Sequence, residues 1–111
     1  MAAVEFMLPT LPPSKNALYE RTFRHTKKYK SWRKSAGWEI KLQGVRSIKG
    51  PYRLSIRARR PDNRRRDLGN LLEATEDLLT TMGVIEDDSL SESIRLDWVT
   101  TIASGVVIRV E

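Results

Sequence analysis

The 111-residue sequence has no cysteine, a single histidine (His25) and no long apolar run. Without thiols there is no disulfide framework, no thiolate zinc or iron–sulfur site and no cysteine nucleophile, and the composition suits a reducing interior. With His25 standing alone, His-triad chemistry is unavailable within one chain. No apolar segment approaches the roughly 18 residues of a membrane span. Residues 1–10 also lack the basic stretch of an export leader. The expectation is therefore a soluble cytoplasmic protein with no membrane partner and no small-molecule cofactor. Acidic residues are scarce in the first part of the chain: residues 1–66 hold 18 Lys/Arg against 4 Asp/Glu, net +14. Residues 67–111 reverse the balance, with 2 against 10, net −8.

The net charge of +6 and 40% apolar content describe one small domain, 1–111, able to bury a core but not to build a deep interdomain cleft. A basic half neutralises phosphates and releases their counterions, which makes nucleic acid the leading partner. An acidic cluster in the same molecule repels that partner unless a cation intervenes. Divalent-metal phosphodiester chemistry is the simplest way to reconcile the two halves.

Val4 to Leu8 reads as a first strand ending at Pro9, and the proline-rich segment to Asn16 as a rigid loop. Residues 21–30 show no apolar period and read as a mobile basic segment, with Ser31 capping a helix to about Gln43. Gly37 weakens that helix assignment. Tyr52, Leu54, Ile56 and Ala58 alternate with Arg53, Ser55, Arg57 and Arg59, so one face meets a core and the other presents guanidinium groups. The clearest helix runs from Asp67 to Met82 on a leucine-rich stripe, with Asp67 as N-cap and Gly83 at its C-terminal stop. Two strands, 93–100 and 106–110, then close the chain and read as a hairpin around Ala103, Ser104 and Gly105. The order β-α-β-α-β-β predicts an α+β domain, a mixed sheet with two main helices packed on it.

Three features carry chemistry: Arg64, Arg65 and Arg66; Asp67 directly after them; and Asp87 with Asp88 beyond the helix. A sixteen-residue helix is about 24 Å long, so Asp67 and Asp88 flank opposite ends of it unless the loop after Gly83 returns, or unless a second chain supplies one of them. Each feature also has a plainer reading. Asp67 is a good helix cap, Asp87 and Asp88 fit an acidic turn, and arginine runs are commonly solvated. Asn70 either supports the cap or orients the site. Trp32, Trp38 and Trp98 read as core or dimer-interface residues rather than base-stacking wedges, and Glu76 and Asp77 as the wet side of the helix.

Residues 12–16 (Pro-Pro-Ser-Lys-Asn), 64–70 (Arg-Arg-Arg-Asp-Leu-Gly-Asn) and 83–88 (Gly-Val-Ile-Glu-Asp-Asp) resemble the signature blocks of the RusA family of Holliday junction resolvases. The likeness runs over nearly the whole chain in block order. It implies a small homodimeric, Mg2+-dependent endonuclease (Mn2+ as a substitute) of phage or prophage type, which makes paired symmetric nicks in branched, four-way DNA during recombination and repair. Two active sites about a two-fold axis match two related strands. The resemblance makes Asp67 and Asp88 the metal-binding catalytic carboxylates, with Asp87 beside Asp88. Arg64, Arg65, Arg66, Lys15 and Asn16, together with Lys27, Lys28, Arg57 and Arg59, are the candidate DNA contacts. Two positions depart from the family pattern: Gly69 stands where a second aspartate is usual, and Glu73 where a lysine commonly follows. Glu73 is four residues after Gly69 on one helical face, so its longer side chain reaches back toward the missing carboxylate's place. The competing expectations are a junction- or duplex-binding protein that lost cleavage through Gly69, and an RNA-binding protein, disfavoured by the lack of an aromatic sheet signature.

Overall fold

A computed structural model describes residues 3–14, 18–19 and 25–111. Strand β1 (Val4–Leu8) is followed by helix α1 (Lys27–Leu42) and strand β2 (Tyr52–Ala58). A 3-10 turn (Leu68–Leu71) then leads into helix α2 (Leu72–Thr81), a second 3-10 turn (Asp88–Leu90), β3 (Ser91–Trp98) and β4 (Val106–Val110). The α+β class and the mixed sheet with two helices are as expected.

The sheet order is β1-β4-β2-β3, with β4 antiparallel to both β1 and β2, and β3 parallel to β2. The expected hairpin between the last two strands does not form. Parallel pairing of β2 with β3 requires a crossover, which α2 provides. The chain then passes β2 and inserts β4 at the centre of the sheet, pairing Ile108 with Phe6 on one side and Ile56 on the other. A central position explains why four of the five β4 residues are buried.

Helix α1 begins five residues before the expected start. Thr26, not Ser31, is the cap, its side chain accepting from the Tyr29 N–H, so residues 27–30 belong to the helix rather than to a mobile segment. Tyr29, Trp32, Ala36 and Ile40 form its buried face. Gly37 supports the helix rather than opposing it: a Cβ there would stand 2.9 Å from Met82 Sδ, so the glycine admits the end of α2. The two helices are tied by Tyr29 and Arg33, which both donate to Asp77. The opposite face of the sheet keeps Glu5, Met7 and Arg109 exposed. Trp38, 61% exposed, and Ile94, 40% exposed, lie outside the core. Among the described residues, no helix is long and apolar enough to cross a membrane.

Candidate active site and nucleic-acid cleft

The turn after β2 is organised by one carboxylate. Asp62 accepts from the Arg64 N–H at 3.0 Å and from the Arg66 guanidinium at 2.9 Å, and that guanidinium is the first cause holding the Asp62 carboxyl below its usual range. Arg64 stands 4.0 Å away. Arg65 is exposed and makes no ion pair among the described residues. Two cations on one anion, with Arg65 unpaired beside them, leave a cationic rim.

Asp67 follows at once, exposed and in extended conformation, its Oδ1 accepting from the Gly69 N–H at 3.0 Å. The cap is thus real, but it serves a 3-10 turn rather than the α-helix, which starts five residues later at Leu72. This capping bond uses one carboxylate oxygen and leaves the other available to a cation. Asp67, Asn70, Arg65 and Arg66 line a cleft of about 1230 Å3. Its remaining walls include the proline loop 9–14, Lys28 and Trp32 of α1, and Trp98 at the end of β3.

At the far end of the crossover, Gly83 takes φ +70, a conformation side chains disfavour, and turns the chain back. Val84 and Ile85 are buried there, and the Val84 carbonyl accepts from Ile48 N–H at 2.7 Å, fixing the return. Asp87 caps the next 3-10 turn by accepting from the Ser89 amide and hydroxyl, which hold its carboxyl low, the hydroxyl first. Asp88 is exposed, and its charge acts on Tyr52 and Glu76. Glu76 is half-buried and accepts from the Tyr52 hydroxyl at 3.3 Å. Burial pushes its carboxyl up, the Tyr52 hydrogen bond opposes this, and Asp88 adds to the rise. The Tyr52 hydroxyl is pushed up to about 12, first by burial and then by the Glu76 charge.

The returning loop thus carries Asp88 back to the neighbourhood of Glu76, nine residues along the crossover from Asp67. Among the described residues, no three of His, Asp or Glu gather into a metal-holding group.

A family model described as Endodeoxyribonuclease RusA matches residues 9–111. The chain belongs to the RusA endodeoxyribonuclease family. It is also similar to the crossover junction endodeoxyribonuclease rusA of Enterobacteria phage HK97, at 34% identity over 100 residues, covering 86% of this chain and 82% of that protein.

The other residues singled out as site candidates in this RusA family member fall into three groups. Lys15 and Asn16 lie outside the described residues. Lys27 and Lys28 are exposed in the first turn of α1, and Lys28 lines the cleft. Arg57 and Arg59 have partners of their own: Arg57 pairs with Glu5 at 3.0 Å, and Arg59 donates to the carbonyls of Thr100 and Ile102. Glu73 is exposed in the first turn of α2. The reading of Glu76 and Asp77 as a wet helix face is corrected, because tyrosines from β2 and α1 take both carboxylates. Those partners are 24 and 48 residues away, so no local pattern announces them. Also unexpected is Arg60, whose guanidinium lies 4.8 Å over the Trp98 ring.

Proposed function

We propose that this RusA family member is a divalent-metal-dependent endonuclease that resolves four-way DNA junctions by paired phosphodiester hydrolysis, acting as a homodimer in DNA recombination and repair. The observation that carries the reading is the placement of Asp67 on a cleft rimmed by Arg65 and Arg66 in a chain of this family. The printed name of the phage HK97 relative supports the junction as substrate.

The donor set fits a hard cation. Asp67 and Asp88 are exposed carboxylates, Asp87 adds a third next to Asp88 along the chain, and no thiolate competes. Mg2+ takes one or two carboxylates, with waters and substrate phosphate completing its shell. We assign Asp67 and Asp88 as its ligands, Asp87 and Glu73 as assisting carboxylates, and Mn2+ as a substitute. When bound, the ion supplies an activated water and neutralises charge on the scissile phosphate. The chain does the rest. Arg64, Arg65 and Arg66 hold the flanking phosphates, and Lys28 grips the same strand from α1. Asn70 orients the Asp67 turn, its backbone N–H donating to the Asp67 carbonyl at 3.2 Å. Lys15, Asn16 and Lys27 extend the cationic surface toward the junction arms.

One observation favours a second reading, a junction-binding protein without cleavage: the described residues include no three-carboxylate cluster, and Gly69 stands where the family's second aspartate is usual. A synthetic four-way junction with Mg2+ decides between them. Nicks at symmetric positions, lost on Asp67→Asn while junction binding survives, are the expected result. Binding without nicks at any Mg2+ or Mn2+ concentration leaves only the second reading, and a preference for single-stranded RNA over branched DNA removes both.

A further inference from the structure

The cleft beside Asp67 holds more than cations. At about 1230 Å3 it exceeds the roughly 300–1,000 Å3 of pockets that enclose a drug-sized ligand, so it has room for more than one nucleotide. Its walls combine two indoles with an apolar loop, Pro12 and Pro13 being buried there. Trp98 is half-exposed with Arg60 over its ring, a platform of the kind on which bases stack. Trp32 is 9% exposed, and its Nε1 has no hydrogen-bond partner among the described residues. An indole N–H only donates, and a buried donor without an acceptor is costly. That donor is itself closed off, so of the two indoles it is Trp98 that a base can reach. Lys28 and Arg65, both exposed and without an ion pair among the described residues, stand where phosphates would pass.

Cations suit phosphates, but a half-exposed indole face beside prolines suits an unstacked base. In a duplex the base faces are stacked on one another and the pairing edges are occupied. We propose that this cleft is a subsite for unpaired nucleotides, in which a base stacks on Trp98 while its phosphates lie on Arg65 and Lys28. The proposal rests on the nuclease reading for its polymer, and it adds that the enzyme engages opened bases next to Asp67, as unstacking at a branch point would present them.

The test uses the full chain in EDTA, so that no strand is cut, with a dT octamer carrying one 2-aminopurine as probe and a blunt duplex of equal length as control. Binding is expected to quench the 2-aminopurine. Trp98→Ala is expected to weaken the octamer at least tenfold while leaving duplex affinity within twofold. Octamer that binds with its 2-aminopurine unquenched overturns the proposal whatever the variant does, as does equal weakening of octamer and duplex. The nuclease reading fails separately: junctions that stay uncut with Mg2+ while quenching persists remove the cleavage and leave the subsite.

Discussion

The Tyr29 hydroxyl donates to the Asp77 carboxylate, joining α1 to α2 across 48 residues of sequence. Arg33, one turn after Tyr29, donates to the same carboxylate at 3.1 Å. The two bonds fix the helix that carries Lys28 and Trp32 against the helix that follows Asp67, so the cleft inherits its shape from a contact outside it. Tyr29→Phe keeps the ring and leaves the half-buried Asp77 with Arg33 alone. A loss of about 1–2 kcal/mol is expected, read as a fall of roughly 5–10 °C in the thermal midpoint.

The same bond sets the alkaline limit of the fold. Burial, then Asp77, pushes the Tyr29 hydroxyl well above its ordinary value of 10.0, and Tyr52 is pushed up to about 12. Both groups hold their protons more tightly folded than unfolded. Their contribution is therefore complete below pH 10, the unfolded value, and is lost as pH rises through the folded values. Urea midpoints are expected to hold steady from pH 8 to 9.5 and to fall between pH 10 and 12. The fall should be shallower in Tyr29→Phe, and an identical slope in that variant would dissociate the decline from Tyr29.

Two glycines separate packing from chemistry. Gly105 has φ +72, and a Cβ there would stand 2.0 Å from the Leu8 carbonyl and 2.7 Å from the Pro9 backbone. Backbone cannot swing aside as a side chain does, and Gly105 also accepts from the Arg59 N–H at 3.0 Å. Gly105→Ala is expected to cost more than about 4 kcal/mol and to abolish cooperative unfolding at 37 °C, as followed by circular dichroism. At Gly69 a Cβ meets only Asp67 Oδ1 at 3.5 Å, an ordinary contact, so Gly69→Ala should change the midpoint by less than about 0.5 kcal/mol.

What the sequence discloses and what it hides divide along local and non-local lines. Strand β2 is readable because Tyr52, Leu54, Ile56 and Ala58 alternate with polar partners, and the pattern matches the burial. Helix α2 is readable from its leucines. The connection from β3 to β4 misleads, since Ala103, Ser104 and Gly105 look like a hairpin turn while the chain crosses β2 instead. A clue was present in Val106, Val107, Ile108 and Val110, whose near-continuous apolar run belongs to a strand with neighbours on both sides. Thr26 and Ser31 are equally good caps by residue type, and Tyr29, aligned with Trp32, Ala36 and Ile40, decides for Thr26. The arginine rim and Asp67 are legible because they are contiguous. Glu76, drawn into the interior by Tyr52, is not.

The arginines are not equivalent on DNA. Arg65 makes no ion pair among the described residues, whereas Arg57 is paired with Glu5 and Arg59 is tied to two carbonyls. Only a free guanidinium releases a counterion from DNA without first breaking a bond. Arg65→Ala is expected to reduce the slope of log affinity against log salt by about 1 on a four-way junction. Arg57→Ala should leave that slope within about 0.3. Titrations at several salt concentrations check both, and equal slopes in the two variants would place the contact surface on the open sheet face instead.

The departure at position 69 can be tested in the direction of gain. Gly69 leaves room beside Asp67 for a carboxylate, since its Cβ site contacts Asp67 Oδ1 only at van der Waals distance. A second carboxylate there lies within reach of a cation on Asp67 and shares its charge. Gly69→Asp is expected to lower the Mg2+ concentration needed for half-maximal junction nicking by about tenfold, equivalent to about 1.4 kcal/mol of ion binding, with junction affinity in EDTA reduced by less. Glu73 provides the control. Where its longer side chain already fills the vacant place, Glu73→Ala raises the Mg2+ requirement of the native chain and leaves that of Gly69→Asp unchanged. The full set is one Mg2+ titration on four proteins. Nicking that ignores both substitutions would remove position 69 and Glu73 from the metal site and leave Asp67 and Asp88 to hold the ion.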